Sequence, residues 1–328
     1  MSGIPNALLP GRAIADRYLV ERVLGQGSMG VVVAAVDRRD GRRVAIKCML
    51  PSHADSPRAS MRFQREAGAT ARLRSEHVAQ VFEAGRLAAD EDGHALPYVV
   101  MELLEGRDLS NLLRERGRLP PSLAAEYVAQ ACTGLSEAHA LGIIHRDLKP
   151  ANLFVVERDD GKEIVKILDF GVAKFESPST SGDDTDMTGA SDMIGSLQYM
   201  SPEQMLDAKG VDARADVWSL GVVLYALITG EKPFQGGDVA DVAHKILTAA
   251  PPSILGLAPE APPGLAAVVK RCLTRDRAGR YAGAVELFRA LTPFAYKGHG
   301  SGPRADLART TEPLPDELVH LFKDAMRR

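Results

Sequence analysis

The run His145-Arg146-Asp147-Leu148-Lys149-Pro150-Ala151-Asn152 sets one carboxylate, one lysine and one carboxamide at fixed short spacings. Asp147 can accept the proton of an attacking hydroxyl, and Lys149 can neutralise a transferring phosphoryl group. Asn152 can hold a divalent metal. Few other chemistries use that trio together. Downstream, Asp169 of Asp169-Phe170-Gly171 closes the apolar run Ile164-Val165-Lys166-Ile167-Leu168. A carboxylate at the end of a buried strand meets a cation or a backbone donor. With Asn152 it makes the oxygen-rich pair that magnesium prefers.

Working outward, Gly25-Gln26-Gly27-Ser28-Met29-Gly30 has a spacing of glycines that also serves dinucleotide-binding folds, where a helix follows. Here Val31, Val32 and Val33 follow, which favours a strand and a flap whose amides approach phosphates. A plain glycine-rich hairpin has the same spacing. Lys47 lies between Ile46 and Cys48 on a strand that must partly bury, so an inward ammonium needs a compensating charge. Glu66, on the helix expected over Ser60 to Leu73, is the natural partner. His145 reads as a packing and hydrogen-bonding residue, with Asp147 doing the chemistry. Arg146, a guanidinium held beside a carboxylate, can pair with a phosphate on a nearby loop.

The chain has 328 residues, of which 45% are hydrophobic and 25% charged, as in a soluble globular protein of about two lobes. A net charge of -3 gives no bulk attraction to nucleic acid. The three cysteines, Cys48, Cys132 and Cys272, are far apart, odd in number and without metal-ligand spacing, so reduced thiols are expected. Residues 1–10 do not read as a secretory signal, and the apolar stretch Val217 to Ile228 is too short to span a membrane.

The periodicity predicts strands over Tyr18 to Leu24, Val31 to Val36, Arg43 to Leu50, Val78 to Gly85 and Pro97 to Leu103. A hairpin turn is expected at Arg39-Asp40-Gly41-Arg42 and an exposed turn at Ala88 to His94. Helices are expected from Pro121 to Leu141, stopped by Gly142, and from Asp212 to Thr229, closed by Gly230. Shorter ones are expected over Val239 to Leu247 and Pro263 to Leu273. Ser177 to Ser191 reads as polar loop. A strand-rich part followed by a helix-rich part implies an α+β, two-lobed protein with its cleft near Met101 to Gly106.

In this order the motifs resemble the eukaryotic-type serine/threonine protein kinases, in their bacterial branch. The resemblance covers Tyr18 to Pro293. It implies the two-lobed kinase fold, with a small antiparallel sheet and one major helix in the N-lobe and a larger, mostly helical C-lobe. The boundaries it implies are a flexible leader 1–17, an N-lobe 18–101, a hinge 102–106 and a C-lobe 107–293. A tail 294–328 follows, with a short amphipathic helix over Asp316 to Met326. Bacterial relatives often carry a membrane anchor after this domain, and none is read here.

The activity implied is transfer of the γ-phosphoryl group of ATP to serine or threonine hydroxyls of proteins, in the cytoplasm, with Mg2+ or alternatively Mn2+. Asp147, Lys149, Lys47 and Glu66 would be catalytic, and Asn152 and Asp169 would hold metal. Gly25, Gly27 and Gly30 would cover the phosphates. Lys47 would hold the α- and β-phosphates and Glu66 would orient it. The backbone of Glu102 and Leu104 would read adenine, Met101 would guard the back of the pocket, and Leu24, Val32, Ala45 and Phe154 would enclose the ring. Asp108 would meet the ribose. Ile194-Gly195-Ser196-Leu197-Gln198-Tyr199-Met200-Ser201-Pro202-Glu203-Gln204 would floor the substrate groove, with Ser196 where threonine is usual and Ser201 where alanine is usual. Ser196 would bond the catalytic aspartate and lysine, Glu203 would pair with Arg280, and Asp216 would anchor the catalytic loop.

Arg146 implies activation by loop phosphorylation, with Thr188 the first candidate and Thr185 and Ser191 next; copies of the chain would associate for that autophosphorylation. A pseudokinase scaffold is disfavoured because Lys47, Asp147, Asn152 and Asp169 are all present. A small-molecule kinase of similar fold is disfavoured by the complete substrate segment.

Overall fold

The valine-rich runs pair into strands because branched side chains suit a pleated, half-buried surface. In the computed structural model β1 (Ala13–Ile14), β2 (Tyr18–Gln26), β3 (Gly30–Asp37), β4 (Arg43–Met49), β5 (Val81–Arg86) and β6 (Pro97–Glu102) form one antiparallel sheet. Its order is β1-β2-β3-β4-β6-β5. The structure describes residues 4–27, 30–54, 56–87, 95–170, 194–207 and 210–296, which all fall in one compact unit, Met1–Tyr296. The Ala88 to His94 turn, the Ser177 to Ser191 loop and the helix expected over Asp316 to Met326 lie outside the described residues.

The sheet has two differently employed faces. Val31, Val33, Val44, Ile46, Cys48 and Val100 point to the core of the small lobe. Across the register Val32 is paired with Lys47 and Ala45 with Met101, so these four share the opposite face. Between β4 and β5 run α1 (Pro51–Ala54) and α2 (Pro57–Thr70). Ser56 caps α2, accepting from the Ala59 N–H at 3.3 Å, and Pro57 opens its first turn.

The leader reading requires a correction. Leu8 and Ile14 are 0% exposed and belong to the core of the small lobe. Gly11 donates to the Val20 carbonyl at 2.9 Å, and Val20 donates to that of Arg12 at 2.9 Å. The apolar residues here are too few to show a period, yet two of them fill the sheet's open end.

The larger lobe opens with β7 (Gly106–Asp108), α3 (Leu109–Arg116) and α4 (Pro121–Ala140). At Gly106 φ is +154° and a Cβ would lie 2.0 Å from the Val155 carbonyl oxygen, so only glycine lets the chain enter here. β8 (Leu153–Glu157) and β9 (Glu163–Ile167) complete a three-stranded sheet with β7. Then come α5 (Pro202–Leu206), α6 (Arg214–Thr229), α7 (Val239–Thr248), α8 (Pro263–Cys272) and α9 (Ala284–Leu291). Every residue of α6 from Ala215 to Thr229 is buried, as befits a helix apolar all round. It packs on α4 and α8, and Gly230 at φ 79° ends it. Val78, expected at the start of β5, instead forms an isolated parallel bridge to Ile167 and ties the two lobes together.

Candidate active site

Two non-glycine residues of the predicted site sit in the left-handed region, Arg146 at φ 65° and Asp169 at φ 44°. Such backbone persists only where its surroundings over-determine it. For Arg146 the agent is Asp216, buried on α6. Its carboxylate accepts the N–H groups of His145 and Arg146, both at 2.9 Å, and the His139 Nε2–H at 2.8 Å. Burial alone would push this carboxyl up. The hydrogen bond from His139, the nearby imidazoles and the His145 amide outweigh it and hold Asp216 below the usual carboxylate range. The expected anchoring by Asp216 is what the geometry displays.

His145 is 0% exposed and faces the Phe170 ring at 4.8 Å. The Asp147 N–H meets its Nδ1 at 3.2 Å, so Nδ1 accepts and Nε2–H donates to the Leu168 carbonyl at 2.9 Å. Both ring nitrogens are thereby used on backbone, in keeping with a structural part.

The polar residues of the opening run converge. Lys149 Nζ lies 3.3 Å from Asp147 Oδ2 and donates to Ser196 Oγ at 3.0 Å. Asn152 Nδ2 donates to the Asp147 carbonyl at 2.7 Å and to its Oδ2 at 3.2 Å. That fixes the amide so that its oxygen is turned away from Asp147 and left for a cation. Lys47 reaches Asp169 Oδ2 at 2.8 Å. Burial pushes the Asp169 carboxyl up, but the charge and hydrogen bond of Lys47 prevail and hold it below its ordinary value. Lys47 was expected beside Glu66; the Glu66 side chain lies outside the described residues, and the partner on display is Asp169.

Above this group lies the free face of the sheet, with Val32, Ala45, Lys47 and Met101. Leu24 sits unpaired at a bulge of β2 between Val23 and Gly25. Gly25 pairs with Val32, and Gly27 donates to the Gly30 carbonyl at 2.9 Å. A Cβ on Gly30 would meet the Cys48 carbonyl at 2.5 Å. Ser28 and Met29 lie outside the described residues. At the hinge the Glu102 N–H is taken by the Gln80 carbonyl at 2.8 Å. The Leu104 N–H has no backbone acceptor among the described residues, which suits an amide that receives a ligand edge. Phe154 is paired with Lys166 on β9.

Asp108, expected to meet the ribose, also has a part in the fold. Its carboxylate caps α3, accepting from the Asn111 N–H at 2.8 Å and the Asn111 side-chain amide at 2.5 Å. Both oxygens serve the helix start, because an aspartate just before a helix meets orphan donors.

The protein kinase domain model matches residues 18–290. The chain belongs to the protein kinase family. It is 38% identical over 308 residues to the probable serine/threonine-protein kinase PknB of Corynebacterium glutamicum, covering 93% of this chain and 46% of that protein. To serine/threonine-protein kinase PknB of Mycobacterium tuberculosis it is 37% identical over 320 residues, covering 96% and 46%. The chain thus spans a little under half the length of these relatives. It also resembles the crystal structure of the Mycobacterium tuberculosis PknI kinase domain, with a TM-score of 0.65 and 26% identity over 87% of this chain and 98% of that one. The family uses ATP and a divalent cation. No helix among the described residues is long and apolar enough to cross a membrane.

The segment Ile194 to Gln204, expected to floor the substrate groove, is tied to the run at Arg146 by a contact of Gln204 that the spacing of residues does not announce. The Gln204 side-chain oxygen accepts from the Ser201 N–H at 3.2 Å and from its hydroxyl at 3.0 Å. Its Nε2 donates to the Arg146 carbonyl at 2.9 Å. Ser201, in place of the usual alanine, therefore adds a bond rather than merely tolerating the site. Arg280 forms the expected fork with Glu203 at 2.7 and 2.9 Å, and its side chain is fully buried. The contacts of Gln204 and His139 carried no signal in the chain, since their partners Arg146 and Asp216 lie 58 and 77 residues away. Among the described residues the Arg146 guanidinium has no carboxylate partner. Thr188, Thr185 and Ser191 lie outside the described residues.

Proposed function

We propose that the chain transfers the γ-phosphoryl group of ATP to serine or threonine hydroxyls of proteins. The observation that carries this reading is the line Asp147–Lys149–Ser196, joined to Asn152 and facing the Lys47–Asp169 pair. Asp147 orients the incoming hydroxyl and accepts its proton. Lys149 stands where it can offset charge on the group in flight, and Ser196 holds both the lysine and the substrate segment in place. Lys47 steadies the α- and β-phosphates, with Glu66 from α2 as its second carboxylate. The Leu104 amide reads the adenine edge, with Val32 and Ala45 above the ring and Phe154 below it. Little covalent chemistry falls to the protein, so positioning and fixed charge supply most of the rate.

The donor set suits a hard cation. The Asn152 amide oxygen and the Asp169 carboxylate would hold Mg2+, which takes one or two protein oxygens and completes its shell with phosphate. Bound there, the ion would neutralise charge on the phosphates. Mn2+ would fit the same oxygens.

The Arg146 guanidinium, which has no carboxylate partner among the described residues, supports activation by a phosphate on the loop, with Thr188 the first candidate and a second copy of the chain as the phosphorylating partner. The three cysteines are buried and unpaired, which supports a reducing, cytoplasmic setting. The test is incubation of the full chain with labelled ATP, Mg2+ and a mixed protein pool, followed by phosphoamino-acid analysis. Label on serine and threonine is expected. Label absent from protein, or found only on an added aminoglycoside, overturns the proposal.

A further inference from the structure

Past the end of α6 the chain places a lysine where the transfer site does not use it. Lys232 is half-buried, and its Nζ donates to the Gln198 side-chain oxygen at 2.5 Å. It also lies over the Tyr199 ring, 5.5 Å from the centroid. Among the described residues no carboxylate lies within ion-pair distance of it. Burial holds this ammonium below the ordinary lysine range, so its charge is undercompensated where it stands. An ammonium has three donors, and Gln198 takes one.

The surroundings form a receptacle. A cavity of about 370 Å³ is lined by Gln198, Gly230, Glu231, Lys232 and Gln235. A second, of about 540 Å³, shares Glu231, Lys232 and Gln235 and extends over Pro252 and Leu257. The rim carboxylate of Glu231 is exposed and accepts from the Gln235 amide at 3.4 Å. Gln198 itself is committed, because its Nε2 donates to the Phe234 carbonyl at 3.1 Å. The remaining strong donor is therefore Lys232.

This receptacle adjoins the transfer line. Ser196, which accepts from Lys149, is two residues before Gln198 in the same short segment, and the Tyr199 N–H bonds the Ser196 carbonyl at 3.2 Å. A polypeptide laid across Ser196 reaches Lys232 within a few residues of its acceptor hydroxyl, since extended chain rises about 3.3 Å per residue.

We infer that Lys232 forms a subsite for an acidic side chain of the substrate polypeptide, a few residues from the phosphorylated serine or threonine. The inference rests on the phosphoryl-transfer reading and names a class of substrate for it.

The test is a positional-scanning library of threonine peptides, each carrying one aspartate or one phosphoserine, assayed with the full chain, ATP and Mg2+. An acidic residue at one position should raise kcat/KM about tenfold over the neutral parent, the worth of one charge-assisted hydrogen bond. In Lys232→Met that ratio should fall to about one, and Lys232→Arg should keep most of it. The ratio is independent of how much enzyme is folded, so a destabilised variant still reports. A Lys232→Met variant that slows neutral and acidic peptides alike, leaving the ratio intact, would show a lysine that only braces Gln198 and would overturn the inference. A wild-type chain with no acidic preference would overturn it as well. No transfer to any peptide or protein would overturn the underlying reading instead. Preference for phosphoserine over aspartate that is lost in Lys232→Met would support the subsite with a phosphate as its acidic group, and one that survives in Lys232→Met would overturn it.

Discussion

At the scale of single residues the site depends on a few carboxylates that work through different contacts. In the proposed reaction Asp147 accepts the substrate proton, so Asp147→Asn should lower kcat by about a hundredfold to ten-thousandfold. A radiolabelled-ATP assay checks this, and near-normal incorporation would remove Asp147 from its role. Asp216 touches no reacting atom. It is a positioning residue, and its effect should be visible in stability. Its folded-state pKa is depressed, so at pH values between the folded and unfolded pKa the unfolded chain binds more protons. The stability it contributes is therefore complete above the unfolded value and is lost as pH falls through the lower folded one. Urea unfolding at about pH 6 and about pH 3 should show a larger loss in the wild type than in Asp216→Asn. Equal losses would mean that the carboxylate is not held by its three donors.

At the scale of elements, the join between α5 and the segment before α9 depends on one buried fork. Arg280 meets Glu203 and also donates to the carbonyls of Thr274, Arg214 and Arg275 at 2.7, 3.0 and 2.9 Å. It lies 4.9 Å from the Trp218 ring centre as well. Arg280→Ala strands a partly buried carboxylate and several carbonyls, and should cost about 3–5 kcal/mol. Chemical denaturation measures it, and a cost below about 1 kcal/mol would reclassify the pair as ordinary surface charge. Helices with terminal signals were readable at this scale. Pro121 and Gly142 bracket α4 and its stop, and Gly230 closes α6. α3 and α9 were not, because eight-residue helices offer barely two turns of period.

At the scale of the whole molecule, the extra strand β1 and the turn before it make the small lobe larger than its motifs. Removing residues 1–14 takes Leu8 and Ile14 out of the core. Each buried aliphatic side chain stabilises by about 1.5–3 kcal/mol, so the truncated chain should unfold at clearly lower denaturant. An unchanged midpoint would restore the leader reading. Ligand binding acts on the same scale. ATP with Mg2+ at about a hundred times its Kd should stabilise the full chain by about 2.7 kcal/mol, read as a rise in Tm. Asp169→Asn should abolish most of that rise, and a full rise in the variant would detach the metal from Asp169.

The chain by itself determined the two-lobed architecture and the grouping of Asp147, Lys149 and Asn152, because these depend on residue types held at short spacings along one segment. Only the tertiary structure decided which distant groups meet them. Asp216 under His145 and Arg146, Gln204 against Arg146 and Lys232 beside Gln198 are all contacts between residues far apart in the chain. Such contacts leave no local period or spacing. They form because burial leaves a polar group or a charge needing a partner, and folding brings that partner within about 3 Å.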